Sequence, residues 1–115
     1  AWLFEHLALD AGNAGLLGYA VVMWLPDEVH LLNLSVAAAW QRMGVGARML
    51  RWLMGDARDR GAAAMMLEVR PSNEPARRLY AAHDFTQIGV RRRYYPAPAG
   101  TREDALVLAR GLNHG

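Results

Sequence analysis

Three places in the 115-residue chain carry residue types that could do chemistry. The first is the glycine loop Gln41-Arg42-Met43-Gly44-Val45-Gly46, which runs directly into a segment with helical spacing. A loop of this kind aims several free N–H groups outward at the positive end of a helix dipole, which suits a phosphate or pyrophosphate. Glycine lets the backbone approach such a ligand closely, and Arg42 and Arg48 could add charge. Two other readings stay open: a tight strand-to-helix turn with no ligand, and a dinucleotide fingerprint. Glu68 lies where a ribose-binding acid would sit, but Met49 stands at the place of the third glycine. The second place is Glu68 itself, a carboxylate in the apolar run Met65 to Val69. A charge in a central strand is expensive unless it is paired or useful, so Glu68 either bridges to Arg70 or another arginine, or it works. The third is Arg91-Arg92-Arg93-Tyr94-Tyr95, where basic and aromatic residues alternate between an RNA-binding reading and a solvated strand face.

Positioning these groups requires strands and two helices. Leu7 to Leu9, Leu16 to Leu25 and His30 to Val36 read as strands, with turns at residues 10–15 and at Pro26-Asp27. Val45, Met49, Trp52, Leu53 and Ala57 then fall on one helical face, which places Trp52 in the core, and Gly61 closes that helix. Met65 to Val69 is a strand whose alternation sets Met66, Glu68 and Arg70 on one face. Ser72 or Asn73 caps a second helix with Pro75 in its first turn, presenting Ala76, Leu79, Tyr80 and His83. Tyr80 by itself reads more simply as packing than as chemistry. Phe85 to Tyr95 and Ala105 to Leu108 are the last strands. The order is that of a mixed α/β (α+β) domain with a partly antiparallel sheet, and the unit from about 30 to 70 should be a right-handed crossover.

Composition narrows the chemistry. The length suits one domain, residues 1–115, and 53% hydrophobic residues suffice for a core. Thirteen basic against eleven acidic residues leave a net charge of +2, which argues against a dedicated nucleic-acid arm. All thirteen are arginine, so a lysine Schiff base and a Walker-type phosphate loop are excluded. The lack of cysteine excludes disulfides, thiolate metal sites and a cysteine nucleophile. His6, His30, His83 and His114 lack metal-ligand spacing, so no metal is expected, and His114 sits in a glycine-rich end expected to fray. No run approaches the ~20 apolar residues of a membrane span, and a cytoplasmic protein is the default.

Longer motifs add a family. Asn33-Leu34-Ser35-Val36 with Gln41-Arg42-Met43-Gly44-Val45-Gly46 resembles motif A of the GNAT superfamily. Leu67-Glu68-Val69-Arg70-Pro71-Ser72-Asn73, then Ala76, Leu79-Tyr80 and Phe85, then Arg92-Arg93-Tyr94-Tyr95-Pro96 and Glu103-Asp104-Ala105, is similar to the RimI-type ribosomal-protein alanine N-acetyltransferases. The resemblance spans roughly residues 14 to 110 and leaves the family's N-terminal strand and helices unmatched, so the domain is expected to be N-terminally incomplete.

The resemblance implies a GNAT acyl-CoA N-acyltransferase fold with two splayed central parallel strands, His30–Val36 and Met65–Arg70. It implies that acetyl-CoA is cosubstrate, with Leu34, Ser35 and Val36 on its acetyl and pantetheine arm. Arg42, Met43, Gly44, Val45, Gly46 and Ala47 would hold the pyrophosphate, and Asn73 would also touch the coenzyme. Glu68 matches the family's general base and Tyr80 its general acid, while Tyr94 or Tyr95 would wall the peptide groove. The acceptor would be the N-terminal amine, Ala, of a ribosomal protein, without direct nucleic-acid or membrane contact. A small amine or lysine acceptor is the alternative, and from another class, a nucleotide-binding regulatory module. Residue 84 is Asp where the family has Gly; Asp tolerates the left-handed conformation such a position needs.

Overall fold

The computed structural model describes residues 3–10 and 16–112. Six strands form one mixed sheet in the order β1-β2-β3-β4-β6-β5. The chain divides into two compact units, residues 1–65 with 111–115, and residues 66–110. The turn expected at 10–15 falls mostly on residues outside the described ones, as does His114.

The first unit opens with an antiparallel meander of β1 (Leu3–Asp10), β2 (Leu16–Trp24) and β3 (Glu28–Val36). Alternation decides what it buries: Ala20 and Val22 of β2 and Val29 and Leu31 of β3 are sealed from water, with a register irregularity between Val21 and Val22. At the turn, Leu25 N–H donates to the Glu28 carbonyl (2.9 Å). β1 is longer than its sequence suggested, because hydrogen bonding to β2 continues through polar Glu5 and His6. Glu5 also accepts from the Trp24 indole and pairs with Arg60 (both 3.4 Å), while Arg60 lies over the Trp24 ring and pairs with Asp56.

Helix α1 (Val45–Asp59) packs against β3 and buries Val45, Met49, Leu50, Leu53, Met54 and Ala57. Truncating the fully buried Leu50 to Ala should cost about 2–5 kcal/mol. Trp52 is a correction: it is 48% exposed, not core. The buried face is centred nearer Leu53 and takes in Leu50 and Met54, and that rotation turns position 52 outward. The helix ends as expected at Gly61 (φ 95°), with Ala62 N–H donating to the Ala57 carbonyl and Gly61 N–H to that of Arg58. Gly18 of β2 has a steric reason: a β-carbon there would strike the Ser35 carbonyl and crowd the Met49 thioether.

Strand β4 (Ala64–Val69) leads into the second unit, which holds α2 (Glu74–Ala82), β5 (Thr86–Pro96) and all but the last residue of β6 (Arg102–Gly111). Met65, Leu67 and Val69 are buried, so Met66 and Glu68 share the opposite face, as alternation required. Asn73, rather than Ser72, caps α2, its side-chain oxygen accepting from Ala76 N–H (3.3 Å), and Pro75 occupies the first turn. The helix stops at Asp84, which takes the left-handed conformation (φ 66°) normally left to glycine. Phe85 N–H then reaches back to the Tyr80 carbonyl (3.1 Å). The same closure brings the Phe85 and Tyr80 rings edge to face at 5.6 Å, the apolar contact that accompanies such helix ends. β5 and β6 pair antiparallel with two irregularities, between Gln87 and Gly89 and between Arg91 and Tyr95.

Candidate active site

In the first unit, Leu34, Ser35 and Val36 end β3, opposite Ala20, Tyr19 and Gly18, and all three are half-buried. The Ser35 hydroxyl donates to the Asn33 side-chain oxygen (2.7 Å). Gln41 ties the following loop to the strand by donating its side-chain amide to the Val36 carbonyl (3.1 Å). Arg42 (φ 64°) and Gly44 (φ 77°) both adopt left-handed backbone, and Gly44 is the residue from which α1 starts. The Gly44 carbonyl accepts from Arg48 N–H (3.2 Å), so the helix itself supplies no acceptor for the amides of Val45, Gly46 and Ala47. No acidic residue sits in this first turn to neutralise the dipole. Arg42, Met43, Gly44 and Arg48 are exposed. The arrangement suits an anion bound by main-chain donors.

In the second unit a string of contacts runs outward from Glu68. Its Oε1 pairs with the Arg91 guanidinium (3.4 Å), while its Oε2 is buried without a hydrogen-bond partner. Arg91 lies over the Tyr94 ring at 5.1 Å, and Tyr94 meets Tyr95 edge to face at 5.0 Å. Arg70 lies over Tyr95 at 4.3 Å, donates to the Pro96 carbonyl (2.8 Å) and pairs with Glu103 (3.5 Å). Glu103 in turn accepts from Ser72 N–H (2.8 Å), one residue before the cap of α2. The Ser72 hydroxyl and amide, helped by Arg70, hold the Glu103 carboxyl below its ordinary range.

A bulge makes this string possible. Arg91 stands opposite Ala105 and Tyr95 opposite Glu103, so three residues, Arg92 to Tyr94, face the single Asp104. Arg93 takes left-handed backbone (φ 54°), and its N–H donates to Asp104 (2.9 Å). Arg102 clamps the other side, donating to the carbonyls of Arg93 (2.6 Å) and Tyr94 (2.7 Å). The plain alternation expected for this stretch therefore does not hold, and neighbouring Tyr94 and Tyr95 touch each other.

Tyr80 is buried on α2. Burial, and secondarily Tyr95, pushes its phenol above the usual value, so it stays protonated at neutral pH. Tyr95 is pushed up too, first by burial and then by Glu68 and Tyr94, against the opposing pull of Arg70 and Arg91. Glu68, Tyr80 and Tyr95 thus lie within electrostatic reach of one another through Tyr95. Asn73 is engaged as the cap of α2.

The second unit thus offers a carboxylate with one unpartnered oxygen and a buried phenol that stays protonated at neutral pH, and the first offers main-chain donors at the head of a helix. The sequence pattern gives Glu68 an arginine partner without choosing Arg91 over Arg70, and it does not disclose the bonds made by Gln41, Arg102 and Asp104. The charge of Glu103, Asp104 and Arg102 was visible, but their task depends on a bulge that no residue type announces. Among the described residues no group of three or more His, Asp or Glu is gathered to hold a metal, and no helix is long and apolar enough to cross a membrane.

Known proteins resemble this chain in sequence and fold. The family model described as acetyltransferase (GNAT) family matches residues 2–85. The [ribosomal protein bS18]-alanine N-acetyltransferase of Haemophilus ducreyi is 39% identical over 94 residues, covering 82% of this chain and 65% of the relative. That of Escherichia coli K12 is 38% identical over 97 residues, covering 84% and 65%. The chain thus spans 65% of the length of these two curated relatives. The crystal structure of the E. coli ribosomal-protein-S18-alanine N-acetyltransferase superposes with a TM-score of 0.87 at 34% identity, over 97% of this chain and 71% of the other. Nourseothricin acetyltransferase gives 0.82 at 26% identity, over 96% and 66%. An acetyltransferase of Bacillus subtilis in complex with CoA gives 0.85 at 20% identity, over 96% and 78%, a likeness of fold. With its glycine loop at the head of α1, its strand carboxylate and its six-stranded mixed sheet, the chain belongs to the GNAT acetyltransferase family.

Proposed function

We propose that residues 1–115 act as one acetyl-CoA-dependent N-α-acetyltransferase domain, with the N-terminal amine of a ribosomal protein, beginning with Ala, as acceptor and the cytoplasm as place of action. One observation carries the reading: Glu68 keeps a buried carboxylate oxygen without a partner, in a chain of an acetyltransferase family. An oxygen in that state is costly to bury unless a proton-bearing group comes to it.

In this reading the amides of Val45, Gly46 and Ala47, with the backbone of Arg42, Met43 and Gly44, bind the coenzyme's pyrophosphate. Leu34, Ser35 and Val36 align its thioester arm, a main-chain N–H near Val36 stabilises the oxyanion, and Asn73 gives a further contact. Tyr94 and Tyr95 hold the first residues of the acceptor. Glu68 takes a proton from the acceptor ammonium, directly or through water, and the freed amine attacks the thioester carbonyl. The carbon–sulfur bond breaks as the carbon–nitrogen bond forms, and Tyr80 protonates the departing thiolate. The amide nitrogen loses its second proton, which restores Tyr80. An α-amine, with a pKa of ~8, gives up its proton more readily than a lysine side chain at ~10.4, which favours an N-terminal acceptor.

Thermal shift tests the donor: acetyl-CoA should raise the melting temperature and NAD should not. Initial rates with Ala-initiated peptides should intersect as for a sequential mechanism; a ping-pong pattern overturns direct transfer. The likeness to nourseothricin acetyltransferase makes a small amine the second acceptor to screen, beside free lysine. Turnover of those amines with none of the peptides would reassign the acceptor.

A further inference from the structure

The Glu68 carboxylate is held unequally, and the inequality points to a residue outside the roles assigned above. Arg91 of β5 takes Oε1 at 3.4 Å and leaves Oε2 buried and unpartnered. A carboxylate on a side chain with three rotatable bonds would otherwise swing between rotamers, and either oxygen could face the incoming amine. Arg70, two residues along the chain and just past the end of β4, does not serve, because it is engaged with Glu103, the Pro96 carbonyl and the Tyr95 ring. Arg91 is itself located by Tyr94, whose ring it covers, and by the bulge that Arg102 and Asp104 pin. We propose that Arg91 is a positioning residue that fixes Glu68 by one oxygen so that the other alone accepts the substrate's proton.

The inference rests on the reading of Glu68 as general base. The guanidinium does not touch the reacting atoms; it acts by geometry, and a misplaced base loses rate rather than coenzyme affinity. Among the described residues, the charged and titratable groups recorded against Glu68 are Arg91 and Tyr95 of β5, and neither donates to Oε2.

The test uses Arg91→Met and Arg91→Lys in the full chain, with Glu68→Gln as a separate control. The arginine side chain is 57% exposed, so both variants should fold, which melting curves check. Arg91→Met should lower kcat roughly 10- to 100-fold with the acetyl-CoA KM within about twofold, and Arg91→Lys should recover much of the loss. Crystal structures give an answer independent of turnover: in Arg91→Met the Glu68 carboxylate should turn or split between rotamers, and in Arg91→Lys it should keep one orientation. An unmoved carboxylate in Arg91→Met overturns the proposal, as does a lysine variant no better than the methionine one. Full activity in Glu68→Gln would instead remove the base reading, a failure distinguishable from that of Arg91.

Discussion

Glu68 and Tyr80 are held in different ways within the second unit, and each is tested by its own substitution. Glu68 is half-buried beside an arginine with one oxygen unmatched. Replacing it by Gln removes the proposed proton acceptor and keeps the shape, so kcat should fall by roughly 10²–10⁴ while acetyl-CoA still raises the melting temperature. Tyr80 is subtler, because its ring also closes α2 against Phe85. Tyr80→Phe keeps that contact and loses the proton, so it should fold normally and turn over slowly. Tyr80→Ala should lose about 3–5 kcal/mol of stability as well, read from urea unfolding. Sequence pattern made Glu68 legible because a charge in an apolar strand is conspicuous. Tyr80 was not legible that way, since a tyrosine beside Leu79 and Ala76 is what any packed helix offers; only the family motif singled it out.

At the level of elements, each group is placed by the way a segment ends. α1 begins at a left-handed glycine, and a β-carbon at Gly44 would meet nothing within 4 Å, so the cost of one is purely conformational. Gly44→Ala should therefore destabilise by roughly 1 kcal/mol and weaken acetyl-CoA binding measured by calorimetry, since the amides behind it would turn. The β5 bulge gives a matching expectation for the acceptor. Arg102→Ala frees two carbonyls and should loosen Tyr94 and Tyr95, raising the peptide KM more than the acetyl-CoA KM; equal effects would undo that assignment. Replacing Tyr95 should act in the same direction. The helices were readable because period, cap and stop signals agree: Asn73 with Pro75, and Gly61 after Asp59. The phase of α1 was harder, as a large apolar Trp52 at the margin drew the expected face toward itself. The bulge was hidden because its left-handed residue is an arginine, a type that gives no turn signal.

For the molecule as a whole, titration sets the pH range of stability. The Tyr80 phenol titrates above its ordinary 10.0 because burial disfavours the phenolate, and Tyr95 shifts the same way for the same leading reason. The unfolded chain releases these protons near ~10, so their contribution is whole below that pH and is lost as pH rises through the folded values. Glu103 works in the opposite direction. Its carboxyl is held below the usual 4.5 by Ser72, so its contribution is whole above that value and disappears as pH falls through the folded one. Urea unfolding against pH should show both limbs, Tyr80→Phe flattening the alkaline one and Glu103→Gln the acid one. At this scale the order of elements along the chain was legible from periodicity and turn signals, and the family from its motifs. The network from Glu68 to Ser72 was not, because its members are scattered over residues 68–103 and meet only through pairing of β5 with β6.

The backbone at Arg93 leaves slack that selection could take up. A side chain held at φ 54° is strained by about 1–2 kcal/mol relative to glycine, and the bond from Arg93 to Asp104 uses only its amide. A heat-resistance screen of random variants should accordingly return Gly or Asn at position 93, with Arg102 and Asp104 retained. The chain could in this way gain thermal tolerance without altering any group that handles a proton.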